Sequence, residues 1–262
     1  MNTALIISIY VDVFRTNKAL GDKMSNISAY AAKSNDGKMQ PFSLERREVQ
    51  SNDVLIEITH CGVCHSDLHA VKNDWGNSEY PLVPGHEIIG TVKKVGSDVS
   101  KYKKGDTVGV GCMVDSCLKC EACDDHLEQF CNQEPTMTYN SKTDDPGGLT
   151  YGGYSKEIVV REEFVLKIPE NLNKAGAAPL LCAGITSYSP LHQYGVKEGM
   201  TVGIIGLGGL GHMGIKLSAA MGAHTVMITT SKDKASDAKA LGADEVLISS
   251  DEDDMEKWAG KF

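Results

Sequence analysis

Four cysteines lie close enough in the sequence to bind one metal ion together. They form a C-x2-C-x2-C-x7-C pattern at Cys117, Cys120, Cys123 and Cys131. Four thiolates satisfy the tetrahedral preference of Zn²⁺ and leave no coordination position open, and closed sites of this kind are structural. The pattern therefore predicts a zinc ion that holds a loop together. It also prompts a search for a second zinc site with an open position.

A glycine-rich segment predicts a phosphate-binding turn. Gly206, Gly208 and Gly211 fit the pattern G-x-G-x-x-G, after an apolar run and before a helix-compatible segment. Gly206 would allow the tight turn, Gly208 would let a pyrophosphate approach the backbone, and Gly211 would permit close helix–strand packing. The helix N-terminus would add amide donors and a positive dipole. The predicted contacts are Gly206, Gly208, Gly209, Leu210 and Gly211. The alternative is a glycine-rich turn with no ligand.

The end of the next predicted strand bears on the type of dinucleotide. A carboxylate that binds the ribose 2′-hydroxyl of NAD is expected there, about 20 residues after the glycines. This chain has Thr230 instead, followed by Ser231, Lys232 and Lys234. Hydroxyl and ammonium groups suit a 2′-phosphate, so NADP is favoured over NAD, although Asp233 weakens the preference. The alternative is that these residues begin a solvated helix with Ser231 as its N-cap.

The elements that must position these residues fall into two patterns. Residues 25–170 contain short strands separated by glycine-rich turns, which predicts a barrel-like β domain. Residues 171–262 alternate strand and helix, which predicts part of a doubly wound parallel sheet and makes the fold class α/β. Residues 1–24 follow neither pattern and are an extension of unclear status. The predicted strands are Asp53–Thr59, Ile88–Val95, Thr107–Val110, Ser155–Val160, Glu163–Ile168, Thr201–Ile205, Thr225–Thr229 and Glu245–Ile248, and the predicted helices are Ala175–Ser187, Gly211–Met221 and Lys234–Leu241.

Composition restricts the expected partners and compartment. The chain has 262 residues and a formal net charge of −9, which argues against nucleic acid or an anionic membrane as partner. The apolar run Ala4–Tyr10 is too short to span a bilayer and lacks the features of a secretory signal. The eight cysteines are therefore expected as metal-bound or free thiols in a reducing cytoplasm.

Several segments together resemble the zinc-dependent medium-chain alcohol dehydrogenases, most closely the cinnamyl alcohol dehydrogenase branch. They occur in the family's order over about Ile27 to Ser250, and their joint occurrence is highly specific. The resemblance implies a GroES-like β domain followed by a Rossmann cofactor domain. The matching segments are Cys61–Asp67, Tyr80–Glu87, Gly105–Cys112, the four-cysteine loop, Leu180–Thr186 and Gly206–Gly211.

The resemblance implies a second, catalytic zinc bound by Cys64, His86 and Cys182, with the fourth position left for water or substrate oxygen. Asp67 corresponds to the residue that hydrogen-bonds the zinc-bound imidazole and fixes its tautomer. Glu87 corresponds to an acid near the metal that serves as an alternate ligand or a nearby charge. For both acids the alternative is an ordinary salt bridge in a loop.

The resemblance also implies the reaction, a hydride transfer that interconverts small alcohols and aldehydes, with zinc polarising the substrate oxygen. Ser66 and His69 correspond to the proton relay, and His65 lies where some relatives contact the pyrophosphate. Trp75 and Met113 are candidate walls of a pocket for aromatic or medium-chain aldehydes. Without the resemblance, Ser66 would be interpreted as a capping residue, His69 as a surface histidine and the last two as core residues.

Family members run well beyond Phe262, so the cofactor domain is expected to stop here after its third strand. This favours an alternative that is not an enzyme, namely a truncated and inactive zinc-binding fragment. A zinc polyol dehydrogenase is a third interpretation, against which Cys182 and the Thr-Thr-Ser segment ending at Ser231 weigh. A homodimer is the expected assembly where the full-length domain is present.

Overall fold

The computed structural model describes residues 26–262, so the predicted extension over residues 1–24 lies outside the described residues. Contacts divide the chain into a first unit that ends at Leu181 and a second unit, Cys182–Phe262. Residues 174–181 belong to the first unit because Ala177, Ala178 and Leu181 pack against Ile89 and Ile168. The boundary at 170/171 drawn from the sequence stays a prediction.

The first unit consists mainly of short strands. They are β1 (Ile27–Ala32), β2 (Met39–Leu44), β3 (Asp53–Cys61), β4 (Ile88–Val95), β5 (Thr107–Val110), β6 (Met113–Asp115), β7 (Thr136–Met137), β8 (Glu157–Arg161) and β9 (Leu166–Lys167). The helices are α1 (His65–Lys72), α2 (Glu121–Asp124) and α3 (Lys174–Ala177), and 3-10 turns cover Glu128–Phe130, Glu162–Phe164 and Ala178–Leu181.

A five-stranded antiparallel sheet in the order β8-β3-β4-β5-β9 forms the centre of this unit. The β1–β2 hairpin joins it through a bridge between Ala29 and Ser155. The apolar residues of the sheet, among them Val54, Ile56 and Ile88, form one buried core. Truncating such a side chain to alanine typically costs about 2–5 kcal/mol. The predicted barrel-like β domain therefore takes the form of this sheet and its flanking hairpins.

Two predicted elements differ from the structure. The expected strand Glu163–Ile168 is a 3-10 turn followed by the two-residue β9, because the hydroxyl of Tyr102 donates to the carbonyl of Val165 and occupies a group that a longer ladder would use. The expected helix Ala175–Ser187 is interrupted, because Pro179 lacks the N–H that a continuous α-helix needs. The interruption ends at Cys182, which has non-helical backbone angles.

The second unit alternates helices and strands as predicted. Its elements are α4 (Ala183–Gln193), β10 (Thr201–Ile205), α5 (Gly209–Ala220), β11 (His224–Thr229), α6 (Ala235–Leu241), β12 (Glu245–Ile248) and α7 (Glu252–Trp258). The strands form a parallel three-stranded sheet in the order β10-β11-β12. Its core includes the fully buried Ile215, Met227 and Ala238. No helix within residues 26–262 is long and apolar enough to cross a membrane.

Candidate metal centres and cofactor site

The four-cysteine loop forms a compact cluster of sulfur atoms. The Sγ atoms of Cys117, Cys120, Cys123 and Cys131 all lie within 4.8 Å of one another. The Cys120–Cys123 and Cys117–Cys123 sulfur separations are 3.5 and 3.9 Å. A tetrahedral site with Zn–S bonds of about 2.3 Å requires sulfurs about 3.8 Å apart. The spacing of the donors therefore fits one zinc ion.

Backbone N–H groups in this loop favour the thiolate form that binds metal. The N–H of Asn132 lies 3.4 Å from the Sγ of Cys120, and the N–H of Cys117 lies 3.5 Å from that of Cys131. These N–H groups are the largest causes of a Cys120 pKa lowered to about 6 and of a lowered pKa at Cys131. The thiolate is the ligand form of cysteine, so these N–H groups favour metal binding at Cys120 and Cys131. At Cys117 the N–H of Lys119 lowers the pKa, but burial and the thiols of Cys131 and Cys120 outweigh it and raise the pKa to about 11.

A second cluster in the first unit contains Cys64, His86 and Glu87. Their ligand atoms lie within 4.8 Å of one another. Cys64 is the N-cap residue of α1, while the other two residues immediately precede β4 and are only 5% and 3% exposed. A half-buried thiol beside a buried imidazole and a buried carboxylate is a donor set that suits zinc.

The buried carboxylate of Asp67 connects the segments that carry this cluster. Its Oδ1 accepts from the N–H of Gly85 at 2.9 Å and lies 3.1 Å from Nδ1 of His86. Its Oδ2 accepts from the N–H of Cys64 at 2.9 Å. The contact that the resemblance implied between Asp67 and His86 is therefore present. An Nδ1–H that donates to the carboxylate leaves Nε2 as the imidazole lone pair available to a metal.

Two glycines explain why these side chains can lie so deep. Gly85 has φ +103°, and a Cβ there would lie 2.7 Å from the ring of Tyr154 and 2.9 Å from the Sγ of Cys61. A Cβ on Gly62 would lie 1.9 Å from Oε2 of Glu87. Larger residues at these positions would displace the turn before β4 or the carboxylate, so the local sequence is fitted to the cluster.

Cys182 is the first residue of the second unit and the N-cap of α4. Its carbonyl accepts from the N–H of Thr186 at 2.9 Å, which starts the helix. Its membership of the ligand set implied by the resemblance stays a prediction.

The relay candidates lie on α1. Ser66 is half-buried and His69 is three residues further along, so the two lie on neighbouring positions of one helix face. The Nδ1 of His69 lies 2.8 Å from a carboxylate oxygen of Asp74. The ring of His69 is 4.7 Å from that of His65 and 5.3 Å from that of Trp75, centroid to centroid. Sequence analysis missed Asp74, for which no motif gave a signal.

The two candidate pocket walls differ in exposure. Trp75 is 56% exposed in the described residues, whereas Met113 is half-buried at the start of β6. Their packing is that of ordinary surface and sheet residues and therefore does not test whether they line a substrate pocket. Both roles stay predictions.

The glycine-rich turn has the local geometry that its pattern predicts. Gly206 has φ +85° at the end of β10, and a Cβ on Gly211 would lie 1.8 Å from the carbonyl oxygen of Gly206. Gly208 caps α5, and no described atom lies within 4 Å of where its Cβ would be. Gly209 and Leu210 lie in the first turn of α5, so the N–H groups at the start of this helix lie beside the glycine-rich turn. A phosphate in this position stays a prediction.

The segment after β11 is exposed and polar. Thr230, Lys232 and Lys234 are exposed, and the N–H of Ser231 donates to the hydroxyl of Thr229 at 3.2 Å. The Nζ of Lys232 lies 3.3 Å from a carboxylate oxygen of Asp251. Within the described residues, Ser231 makes no side-chain capping bond to the 3-10 turn that follows. The capping interpretation of Ser231 thus has no support from these contacts.

Comparison with known proteins gives the family. The model of the alcohol dehydrogenase GroES-like domain matches residues 50–170. A probable mannitol dehydrogenase from Fragaria ananassa is 54% identical over 235 residues, covering 89% of this chain and 65% of that protein. A solved cinnamyl alcohol dehydrogenase from Sorghum bicolor is 44% identical with a TM-score of 0.87, covering 91% of this chain and 68% of that one.

The chain belongs to the zinc-dependent medium-chain alcohol dehydrogenases, on the cinnamyl alcohol dehydrogenase branch. A second solved member of this branch, from Helicobacter pylori and complexed with NADP(H), is 42% identical with a TM-score of 0.81, covering 85% of this chain and 64% of that one. The chain spans about two thirds of the length of these relatives. The predicted α/β class, with a GroES-like domain and a parallel sheet, is confirmed. Both first-unit clusters lie within the matched GroES-like residues.

Proposed function

We propose that this alcohol dehydrogenase family member is a zinc-dependent oxidoreductase that interconverts primary alcohols and aldehydes with NADP(H). The observation that carries the proposal is the cluster of the half-buried Cys64 with the buried His86 and Glu87, in which Asp67 lies on the Nδ1 side of the imidazole. A thiol beside a buried imidazole with a carboxylate on its second ring nitrogen is the donor arrangement of an open zinc site. Cinnamyl alcohol dehydrogenase is the name of the solved relative from Sorghum bicolor, which supports this substrate class.

Cys182 is the proposed third protein ligand. The segment Leu180–Thr186, which resembles the family's segment with this ligand, supports the role. Glu87 is the proposed alternate ligand or charge at the same centre.

A bound zinc ion supplies Lewis acidity to the oxygen of the substrate. The residues of this chain would perform the other tasks. Asp67 holds His86 in one tautomer, and Ser66 and His69 transfer a proton between the buried site and solvent. The contact of His69 Nδ1 with a carboxylate oxygen of Asp74, at a position open to solvent, supports this outer role.

NADP(H) is the proposed cofactor, bound by the glycine-rich turn from Gly206 to Gly211 and the segment Thr230–Lys234. Exposed hydroxyl and ammonium groups after β11 support a 2′-phosphate, as does the solved relative complexed with NADP(H). Replacing Lys234 with alanine should weaken NADPH binding more than NADH binding. Lys197→Ala, at an exposed lysine of the same unit, is the matched control.

The function is tested by following NADPH oxidation with cinnamaldehyde or benzaldehyde. Activity should disappear on chelation and return on addition of zinc. Cys64→Ser should abolish it, because the variant lacks a ligand of the open site, whereas Cys112→Ser should retain it. Zinc-independent turnover, or full activity in Cys64→Ser, would contradict the proposal.

One alternative function is a polyol dehydrogenase, which the relative named probable mannitol dehydrogenase favours. Oxidation of mannitol at a rate above that of cinnamyl alcohol would support it. A zinc-binding protein without turnover is the other alternative, and zinc binding with no activity toward either substrate class would support that. We further propose a homodimer located in the cytoplasm, which size-exclusion chromatography and cell fractionation would test.

A further inference from the structure

Two tyrosines of the first unit contact the carboxylate that holds His86. The hydroxyl of Tyr154 donates to Oδ2 of Asp67 at 3.4 Å. The ring of Tyr139 lies 5.7 Å from the ring of His86, and burial followed by the nearby charge of Asp67 raises the pKa of its hydroxyl. No motif in the sequence assigns a role to either tyrosine.

The contacts of Asp67 leave little freedom for its carboxylate. Its oxygens receive the N–H groups of Cys64 and Gly85, the Nδ1 of His86 and the hydroxyl of Tyr154. An ionised carboxylate offers about four acceptor positions. The side chain is 3% exposed. Hydrogen bonds from the protein thus take the place of water around this charge.

Both phenols remain protonated donors near neutral pH. Burial, followed by the charge of Asp67, raises the pKa of Tyr139 and the pKa of Tyr154 well above the ordinary tyrosine value. A neutral phenol beside a buried carboxylate can only donate to it. The hydroxyl of Tyr154 therefore contributes a hydrogen bond to Asp67, and neither phenol adds charge beside this carboxylate.

The backbone holds Tyr154 against the turn that carries His86. The N–H of Tyr154 donates to the carbonyl of Pro84 at 3.0 Å, and the N–H of Gly153 donates to the carbonyl of Gly85 at 2.8 Å. The guanidinium of Arg46 donates to the carbonyl of Gly152 at 3.2 Å. The phenol is thus placed by backbone contacts that do not involve Asp67.

A separate segment holds Tyr139. Its neighbour Asn140 accepts from the N–H of Glu79 at 2.9 Å and donates to the carbonyl of Asn77 at 3.0 Å. The backbone N–H of Asn140 also donates to the carbonyl of Thr150 at 3.1 Å, so this segment is attached to the one that leads to Tyr154.

We propose that Tyr139 and Tyr154 are positioning residues that hold the Asp67 carboxylate in one orientation, so that His86 is fixed for zinc binding. The inference rests on the proposed zinc site at Cys64 and His86. Without the phenols, Asp67 gains rotational freedom, His86 is less well fixed, and zinc is retained less tightly.

Zinc release from the full chain tests the role. The zinc-loaded protein is mixed with excess dipicolinate, and release is followed with a chromogenic zinc indicator. The phase absent in Cys64→Ser belongs to the open site, and the phase absent in Cys131→Ser belongs to the four-cysteine site. Loss of a residue that orients a metal ligand typically lowers metal affinity about 10- to 100-fold. Tyr139 and Tyr154 act on such a residue, Asp67, so loss of either hydroxyl should accelerate zinc release about three- to tenfold.

We expect Tyr139→Phe and Tyr154→Phe each to accelerate only the open-site phase. Tyr102→Phe is the matched control, because its hydroxyl donates to the carbonyl of Val165 in the sheet core. Unchanged open-site release in both tyrosine variants would overturn the inference. Equal acceleration of both phases, or the same acceleration in Tyr102→Phe, would also overturn it, because general loosening of the fold would explain the result.

A second measurement does not require a variant protein. With 3-fluorotyrosine incorporated, the ¹⁹F signals of Tyr139 and Tyr154 should shift when the open-site zinc is removed, while that of Tyr102 stays in place. Unmoved signals at both positions would overturn the inference. A wild-type chain that shows no release phase dependent on Cys64 would instead contradict the proposed function, together with the inference that rests on it.

Discussion

Asp67 shows how a single buried charge can organise a site. Moving a carboxylate out of water is unfavourable unless hydrogen bonds replace its hydration, and Asp67 receives them from α1, from the turn before β4 and from the loop before β8. These hydrogen bonds fix the position of each donor relative to His86. The residue thus couples the position of a candidate ligand to three separate backbone segments.

Asp67→Asn should accelerate zinc release from the open site about 10- to 100-fold, because a neutral amide is a weaker acceptor for the imidazole N–H. Asp74→Asn is the matched control, since Asp74 is exposed and pairs with His69 instead. The dipicolinate assay measures both variants. Equal release rates in the two would contradict a specific role for Asp67.

Gly85→Ala should lower the free energy of unfolding by about 2–5 kcal/mol, because the new Cβ adds overlap to an unfavourable positive φ. Gly105→Ala is the control: its φ is +97°, but no described atom lies within 4 Å of the added Cβ. That change should cost only about 1–2 kcal/mol of backbone strain. Urea unfolding compares them, and equal losses would exclude the overlap with Tyr154 and Cys61 as the cause.

Cys131→Ser should remove one zinc ion per chain and leave the open site loaded. The serine hydroxyl is a poor replacement for a thiolate at a closed site, and the loop loses the metal-binding energy that contributes to its folding. Zinc analysis by mass spectrometry measures the stoichiometry. Retention of the wild-type zinc content would show that the four sulfurs do not share an ion.

At the scale of elements, the site is built where secondary structure starts or stops. Cys64 caps α1, and His86 and Glu87 precede β4. Cys182, whose ligand role is a prediction, follows the 3-10 turn that Pro179 enforces. Residues at such ends have non-helical or turn backbones. Their side chains can therefore project differently from those inside a regular element.

The turn between β10 and α5 leads to an element-scale prediction. Gly211→Ala should abolish NADPH binding and destabilise the second unit, because its Cβ would overlap the carbonyl of Gly206. Gly199→Ala is the control for NADPH binding, since Gly199 lies outside the turn and its added Cβ meets no described atom within 4 Å beyond its chain neighbours. NADPH fluorescence titration measures binding. Wild-type affinity in Gly211→Ala would show that the turn tolerates a side chain.

At the scale of the whole molecule, burial of tyrosine hydroxyls makes the free energy of unfolding depend on pH in the alkaline range. Burial, followed by the charges of Glu162 and Asp106, raises the pKa of Tyr102 above its ordinary value of 10.0. A group with a raised folded-state pKa contributes stability below the unfolded-state pKa and loses it as the pH rises further. The free energy of unfolding should therefore decrease above about pH 10.

Tyr102→Phe should reduce that alkaline slope while lowering stability at neutral pH by about 1 kcal/mol for the lost hydrogen bond. Urea unfolding between about pH 8 and about pH 11 measures the slope in both proteins. Parallel curves for wild type and variant would show that Tyr102 does not contribute to it.

The sequence by itself determined the features that are local in the chain. The sulfurs of the four-cysteine loop are only a few residues apart, and the β10–α5 glycine turn is one continuous segment, so spacing alone predicted their geometry. The alternation of apolar runs likewise predicted most strands and the parallel sheet. The strand predicted for Glu163–Ile168 was wrong because a distant hydroxyl, that of Tyr102, binds the Val165 carbonyl.

Only the tertiary structure decided which distant side chains meet. From the sequence, only the family resemblance assigned Cys64 and His86 to one site. No sequence pattern placed Tyr139 and Tyr154 near it. Antiparallel pairing of β3 with β4 and β8 brings the segments that follow or precede these strands to one end of the sheet. The physical reason is that contacts on Asp67 depend on how separate loops pack, and residue spacing carries no information about that packing.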